Sequence, residues 1–304
     1  MEINLISDIP QYNSFSKVIL VEKGWSEDKK YYIETNDNRR LLLRLSDALN
    51  YDRKKSEFKV LKTISETEIP MSQPIDFGYC NKGLNCYMLL TWIEGEDAET
   101  ILHELSSKEQ YEIGVEAGKI LQRIHSIPAP ATQENWETRF NRKTDNKIKK
   151  YLECGIKIDG DNYFFDYIEK NRHLLANRPQ SLNHGDYHVG NMIISSDNNL
   201  SIIDFNRFDY GDPWEEFNRI VWCAHCSKYF ASGRINGYFN NEVPEDFFKL
   251  LAFYIISNTL SSVYWAIPFG RKEIETMLNQ SKEVLEFYDY MQNPIPKWYT
   301  GVIN

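Results

Sequence analysis

Apolar and polar positions alternate with a period near two along the first part of the chain and then change to a helical period. "KVILVEK" and "KKYYIET" flank "GWSED", "NDN" makes a turn, and "RRLLLRLS" follows as a short apolar run of the kind a sheet strand requires. From Tyr51 to Glu66 the apolar positions Phe58, Leu61 and Ile64 fall at helical spacing, so one helix is expected behind three strands. "QPIDFGYC", the turn "NKG" and "NCYMLLTWIEG" predict a hairpin ending near Gly95. Residues 1–94 are therefore expected to form a small antiparallel sheet with a single helix.

Beyond Gly95 the period lengthens to about 3.6. In "SKEQYEIGVEAGKILQRIHSI" the residues Ile113, Ala117, Ile120, Leu121 and Ile124 lie on one stripe. Further helices are predicted over "DNYFFDYIEKNRHLLAN", "WEEFNRIVWCAHCSKYF", "PEDFFKLLAFYIISNTLSSVYWAI" and "RKEIETMLNQSKEVLEFYDYM". Between them, "NMIISS", "DNN" and "LSIIDF" make a compact hairpin. With no internal repeat or low-complexity segment, the order of these signals predicts an α+β protein: a sheet-based part over 1–94 and a mostly helical part over 95–304.

Composition narrows the function classes. The 304 residues are 42% hydrophobic and 26% charged, enough to bury a large core. A formal net charge of -9 argues against nucleic-acid partners, because binding to a phosphate backbone is driven by Lys and Arg clusters. The longest basic cluster, "NRKTDNKIKK" at Asn141 to Lys150, contains an Asp and is expected to be a solvated helix face. An acidic surface suits solubility and would also suit a cationic small molecule. The N-terminal stretch lacks a signal-peptide pattern, and no apolar run comes near the roughly 18 residues of a membrane span. A cytoplasmic protein without a membrane partner is the expectation. The five cysteines are an odd, scattered set that fits reduced thiols, and "CAHC" at Cys223 to Cys226 has no second pair to complete a zinc site.

The stretch from Ser181 to Pro213, "SLNHGDYHVGNMIISSDNNLSIIDFNRFDYGDP", concentrates the chemistry. Asp186 and Asn191 stand at one end of the predicted hairpin, and a two-strand excursion can return Asp204 to that end. Phosphoryl transfer needs such a set: a carboxylate to orient an attacking hydroxyl and accept its proton, and an amide oxygen with a second carboxylate to hold Mg²⁺.

His184-Gly185-Asp186, Asn191 after four intervening residues, and Asp204-Phe205 after a hairpin together resemble the aminoglycoside phosphotransferase and choline kinase-like family of small-molecule kinases. In that family Gly replaces the Arg of the protein-kinase loop, and a second His precedes the Asn. "LLLRLS", a Glu in the following helix, "LLTWIEG" and "AGKILQRIHSI" occur in the order the family shows, from about Ser16 to the C-terminal helices. The resemblance implies a bilobal protein kinase-like fold, with ATP or GTP and Mg²⁺ as cofactors. It makes Asp186 the catalytic base, Asn191 and Asp204 the metal ligands, His184 an anchor of the loop, and His188 a supporting residue.

For the nucleotide, the family's strand lysine corresponds here to Arg44, a departure from its pattern, with Glu57 as partner. "KGWSEDKKY" takes the place of the phosphate-covering hairpin, with backbone N–H groups near Ser26 as phosphate donors, although it holds a single Gly. The backbone of Thr91, Trp92 and Ile93 is expected to meet the edge of the base. In "YGDPWEEF" the position of the family's last acid is Glu216, and both Asp212 and Glu216 are expected to be structural.

The acceptor implied is a hydroxyl on a small, cationic molecule such as an aminoglycoside antibiotic, which would make the activity one of resistance. Asp159, Asp161, Asp209 and Glu215 are acidic candidates for binding it. Trp222, Tyr229, Phe230, Trp265 and Trp298 are the aromatic ones, and these would suit a macrolide or a choline-like ligand. A metabolic kinase acting on choline or ethanolamine, homoserine or a sugar stays open. A nucleotide-binding pseudokinase is argued against by the intact Asp186, Asn191 and Asp204. A protein kinase is argued against by Gly185 and by the lack of an "APE"-like segment. The acceptor, the preferred base and the oligomeric state are not legible.

Overall fold

The computed structural model describes residues 5–22 and 28–303. The chain divides into two compact units. The first runs to Glu96 and includes Ile193–Asn206; the second is Asp97–Met192 together with the chain from Arg207 onward. The segment Ile193–Asn206, expected within the helical part, thus clusters with the sheet.

The first unit is built on five antiparallel strands: β1 (Phe15–Val21), β2 (Lys29–Thr35), β3 (Arg40–Asp47), β4 (Pro74–Cys80) and β5 (Asn85–Thr91), in the order β1-β2-β3-β5-β4. Alternation decides which face is buried. Tyr31 and Ile33 of β2, Leu41, Leu43 and Leu45 of β3, and Tyr87 and Leu89 of β5 form one core with Ile6 and Ile9. Helix α1 (Tyr51–Ser65) buries Phe58, Leu61 and Ile64 as its spacing predicts, and buries Lys54 and Glu57 as well. In register, Lys30 lies opposite Arg44, and Arg44 opposite Met88.

The remaining elements are, in chain order, β6 (Glu96–Asp97), α2 (Ala98–Ile101), α3 (Ser107–Ile124), α4 (Trp136–Glu153), α5 (Asp161–Asn171), β7 (Ser181–Asn183), β8 (Met192–Ile194), β9 (Leu200–Ile202), β10 (Asp209–Gly211), α6 (Ile220–Cys226), α7 (Lys228–Tyr238), α8 (Glu245–Ala266) and α9 (Arg271–Phe287). β7 and β10 pair antiparallel, and β8 and β9 form the predicted hairpin. The Ile202 N–H donates to Pro70 O at 2.9 Å, which ties the hairpin's second strand to the sheet unit.

The second unit is organised around α3 packed on α7. Ser106 and Glu109 close a reciprocal cap at the start of α3. The helices approach so closely that a Cβ at Gly114 would lie 2.2 Å from Phe230 O, and one at Gly237 would lie 2.1 Å from Val115 O. Only glycine leaves room for that contact.

Two expectations are corrected here. The single helix predicted over Trp214 to Phe230 is broken: a tight turn over Glu215–Arg219 leads into α6, and Ser227 is extended (φ -154°, ψ 115°) and caps α7 by accepting from Phe230 N–H. The chain also does contain a helix long and apolar enough to cross a membrane, over Glu245–Phe269. Phe247, Leu251, Phe253, Ile256 and Leu260 show it to be a core helix, since all five are fully buried within the second unit.

Candidate active site

The loop between β7 and β8 carries His184, Gly185, Asp186, His188 and Asn191, and it is held by several independent contacts. His184 is fully buried and accepts the Asp186 N–H through Nδ1 at 3.2 Å. Asn191 Nδ2 donates to Asp186 O at 2.8 Å, which orients its amide oxygen away from that bond. His188 Nδ1 accepts from Gly190 N–H at 3.1 Å, so Nε2 bears the proton of the neutral ring, and that atom lies 3.5 Å from Asp186 Oδ1. Gly185 has φ +82°, and a Cβ there would stand 1.9 Å from Arg207 O.

Below the loop, Glu216 takes the Gly185 N–H at 3.0 and 3.1 Å and the Tyr187 N–H at 3.3 Å. Burial pushes its carboxyl up to about 7; the Gly185 N–H draws it down, Glu215 raises it further, and Arg234 and the Tyr187 N–H lower it. Arg234 is fully buried between the rings of Tyr187 and Phe217, 4.6 Å from each centroid, and donates to Tyr187 O and Glu216 O. Tyr187 OH reaches Ala117 O at 2.7 Å, so the α3–α7 pair supports the loop directly. Asp212, also fully buried, takes both Nε and Nη2 of Arg178, at 2.6 and 2.9 Å, and the Tyr254 hydroxyl at 2.6 Å.

Asp186 itself is surrounded by cations. Arg219 Nε lies 3.0 Å from Oδ1 and Arg207 Nε 3.8 Å from Oδ2. Burial alone would raise its carboxyl, but His188, Arg219 and Arg207 together hold it well below the usual carboxylate range. Oδ1 is nonetheless a buried oxygen without an aligned hydrogen-bond donor. A carboxylate that stays charged can orient a hydroxyl.

In the sheet unit, Arg44 is spent on internal partners. Its Nη1 reaches Glu57 Oε1 at 2.6 Å, and Nη2 and Nε reach Asp28 Oδ2 at 2.6 and 3.1 Å. Lys54 closes the set, with Nζ 2.6 Å from Asp28 and 3.3 Å from Glu57. Burial pushes Asp28 up, but Arg44, Lys54 and the Ser46 hydroxyl bring it down to about 2. Two cations and two carboxylates thus neutralise one another inside the sheet. Asp204 stands apart from them, in the left-handed region at φ +64°. Its Oδ2 is 3.5 Å from Lys30 Nζ, its Oδ1 is 3.9 Å from Arg44 Nη1, and Oδ1 is buried with no hydrogen-bond donor among the described residues.

Of the residues expected to serve the base, Thr91 N–H goes to Gln73 O and Trp92 N–H to Arg40 O, at 2.9 and 3.0 Å. These two donors are committed to the fold, which leaves Ile93 as the one of the three whose N–H has no such partner among the described residues. Ser26 lies outside the described residues.

Metal chemistry is compatible with this donor set. Asn191 and Asp204 offer hard oxygens, Asp204 Oδ1 is an orphaned buried acceptor, and among the described residues no three His, Cys, Asp or Glu side chains form a self-sufficient metal cage. Mg²⁺ is commonly held by one or two carboxylates and completed by water and phosphate, so the Asp204 carboxylate and the Asn191 amide oxygen are each the kind of donor it takes.

Three of the four acidic candidates for the acceptor have partners within the fold. Asp161 accepts from Tyr151 OH, Asp209 pairs with Arg139, and Glu215 pairs with Lys143. Phe230 and Trp298 are core residues, while Trp265 is half exposed and packs on Phe269. In the "NRKTDNKIKK" cluster Arg142, Lys143, Lys149 and Lys150 are exposed, as a solvated face requires, while Lys147 is half-buried, and Arg142, Lys143, Lys147 and Lys150 line a cavity. Pattern reading also missed Lys30, Lys54, Asp28, Arg178, Arg219 and Arg234. Lys54 could have been paired with Glu57 from their i, i+3 spacing on a helix.

A family model described as the phosphotransferase enzyme family matches residues 17–247, more than half of the chain. The chain belongs to this phosphotransferase family. Its fold is shared with solved aminoglycoside phosphotransferases. An aminoglycoside 2'-phosphotransferase-IIIa in its GDP complex has TM-score 0.68 at 14% identity, covering 92% of this chain and 96% of that one. A thermostable mutant of aminoglycoside phosphotransferase APH(4)-Ia, in a ternary complex with ADP and hygromycin B, has TM-score 0.66 at 13% identity over 91% and 96%. The gentamicin complex of APH(2")-IIa has TM-score 0.62 at 17% identity over 88% and 92%. No curated protein sequence matches the chain. The phosphotransferase therefore has the protein kinase-like fold expected of it, with an antiparallel sheet unit and a helical unit.

Proposed function

We propose that this phosphotransferase moves the γ-phosphoryl group of ATP or GTP to a hydroxyl of a small molecule, with Asp186 as the residue that orients the hydroxyl. The carrying observation is that the buried Asp186, on the loop that also carries Asn191, is held ionised by Arg219, Arg207 and His188. The acceptor oxygen forms the new bond to the γ-phosphorus as the bond to the β-phosphate oxygen breaks; the hydroxyl proton passes to Asp186, and the nucleoside diphosphate leaves. A carboxylate of low basicity suits a loose transfer, in which the proton is lost late.

Asn191 and Asp204 would hold Mg²⁺, which when bound neutralises charge on the β- and γ-phosphates. His184 and Glu216 position the loop. Since the Arg44 guanidinium is committed to Asp28 and Glu57, Lys30 beside Asp204 is the cation that would meet the phosphates. Glu57 then acts through Arg44 and does not touch the nucleotide. Base recognition falls to Ile93 and to the carbonyls of the Thr91–Ile93 segment. The setting is the cytoplasm, where magnesium-bound nucleotide is plentiful.

An aminoglycoside-type acceptor, and with it antibiotic resistance, is supported by the relatives alone, and a metabolic kinase is the second reading. The cations around Asp186 favour that second reading. Calorimetric titration with MgATP and MgGTP, repeated in EDTA, tests the function: metal-dependent binding is expected, and the absence of binding to either nucleotide would refute it.

A further inference from the structure

Helix α4 carries Arg139, Lys143, Lys147 and Lys150 at spacings of four, four and three, so they fall along one stripe. Like charges at such spacing repel and cost helix stability, an arrangement that a ligand of opposite charge would offset. Beside the stripe, Phe140 packs on Phe253 and Tyr254 of α8, and Lys143 Nζ lies 5.4 Å from its ring centroid. With Arg142 and Tyr264, the stripe lines a cavity of about 400 Å³, and no carboxylate is among the lining residues. That volume is in the range of small-molecule sites.

Three of these cations have acids to pair with: Arg139 with Asp209 at 2.5 Å, Arg142 with Glu134 at 2.6 Å, and Lys143 with Glu215 at 3.4 Å. Lys147 and Lys150 have no acidic partner among the described residues. The first has only the Ser257 hydroxyl at 3.4 Å, and the second lies 5.9 Å above the Tyr264 ring. Burial brings the Lys147 ammonium down to about 7, Lys143 and Arg219 lower it further, and Glu215 opposes them.

The Lys143–Glu215 pair leads from this cavity toward the catalytic loop, and Arg219 lies near both. Its charge acts on Lys147, and its Nε lies 3.0 Å from Asp186 Oδ1. Glu215, the partner of Lys143, directly precedes the Glu216 that binds the loop. A polycationic acceptor would meet a wall of its own sign there.

We propose that the acceptor is an anionic alcohol, a small hydroxyl compound whose carboxylate or phosphate is held by Lys147 and Lys150 while its hydroxyl lies at Asp186. The proposal rests on the kinase reading above and names the acceptor class for that same site.

Titration calorimetry on the full chain, saturated with Mg²⁺ and the non-hydrolysable nucleotide AMP-PNP, tests it with gluconate, glycerol 3-phosphate, glucose, choline and kanamycin as probes. Gluconate or glycerol 3-phosphate is expected to bind at least tenfold more tightly than glucose, and which of the two prevails distinguishes carboxylate from phosphate. In buffers of different ionisation enthalpy at pH 7.5, binding should take up protons, because an anion recharges Lys147. Lys147→Met should weaken binding at least tenfold and remove the proton uptake, whereas Lys147→Arg should keep the affinity without the uptake. Tighter binding of kanamycin, choline or glucose, indifference to Lys147→Met, or failure of both anionic probes to bind would overturn the inference. Failure to bind AMP-PNP itself would strike the kinase reading instead.

Discussion

Lys30 and Arg44 stand directly opposite one another in the register of β2 and β3, yet their shortest ion pairs go to different carboxylates: Arg44 to Asp28 and Glu57 at 2.6 Å, Lys30 to Asp204 at 3.5 Å, with Arg44 3.9 Å from Asp204 as well. Arg44, expected to meet the nucleotide, is part of a buried ion cluster with Asp28, Glu57 and Lys54. The neighbouring strand supplies the cation that faces the remaining acid.

Removing the two cations should therefore do different things. Arg44→Met leaves two buried carboxylates with Lys54 alone, a change that costs about 3–5 kcal/mol when a buried pair loses one partner. Lys30→Met removes a longer and more exposed pair, so stability should change by less than about 1 kcal/mol, while nucleotide affinity falls tenfold or more. Urea denaturation and nucleotide titration on both variants check the division. A stable Arg44→Met variant with lost nucleotide binding, beside an unaffected Lys30→Met variant, would reverse the assignment.

Glu216 should make stability depend on pH. Its carboxyl titrates near 7 in the folded chain against an ordinary value of 4.5, so the folded state holds the extra proton between those limits. Stability from this group is therefore greatest at low pH, declines as pH rises from about 4.5 to 7, and is level above that. Glu216→Gln removes the titration while keeping an acceptor oxygen. Relative to wild type it should gain stability across that window, by about 3 kcal/mol at most. Thermal unfolding of both proteins from pH 4.5 to 8 is the check, and a difference independent of pH would contradict it.

Gly185→Ala should disable the loop without touching a charged group. The residue sits at φ +82° with Arg207 O in the place of a side chain. The left-handed conformation alone costs about 1–3 kcal/mol for a non-glycine residue, and the clash must displace either Asp186 or Arg207. Lower thermal stability together with slow turnover is expected. Wild-type turnover in this variant would show that the loop's geometry is not needed.

Much of this was legible before any coordinates. The period change near Gly95 separates sheet from helix because strands and amphipathic helices bury different spacings, and the hairpin from Met192 onward follows from two short apolar runs around "DNN". The spacing of His184, Asp186 and Asn191 marks the loop between β7 and β8. Long-range pairings were not legible. Asp28 and Arg44, or Arg219 and Asp186, are brought together by folding and leave no periodic trace. On α4 the exposed Arg142, Lys143, Lys149 and Lys150 are the solvated face their composition predicts, whereas the half-buried Lys147 and the packing of Tyr264 that completes a cavity leave no trace in the pattern. The break at Ser227 escaped because a capping serine inside an apolar run resembles any helical serine. The apolar α8 was overlooked because its polar residues divide the apolar positions into short runs.

The division of labour between Asp186 and Asp204 is the most direct test of the whole account. Nucleotide binding and phosphoryl transfer should be measured on Asp186→Asn and Asp204→Asn with one anionic acceptor and Mg²⁺. Asp186→Asn should bind nucleotide as wild type does and transfer at least about a hundredfold more slowly, while Asp204→Asn should lose metal-dependent nucleotide binding itself. Equal and mild losses in both variants would contradict it.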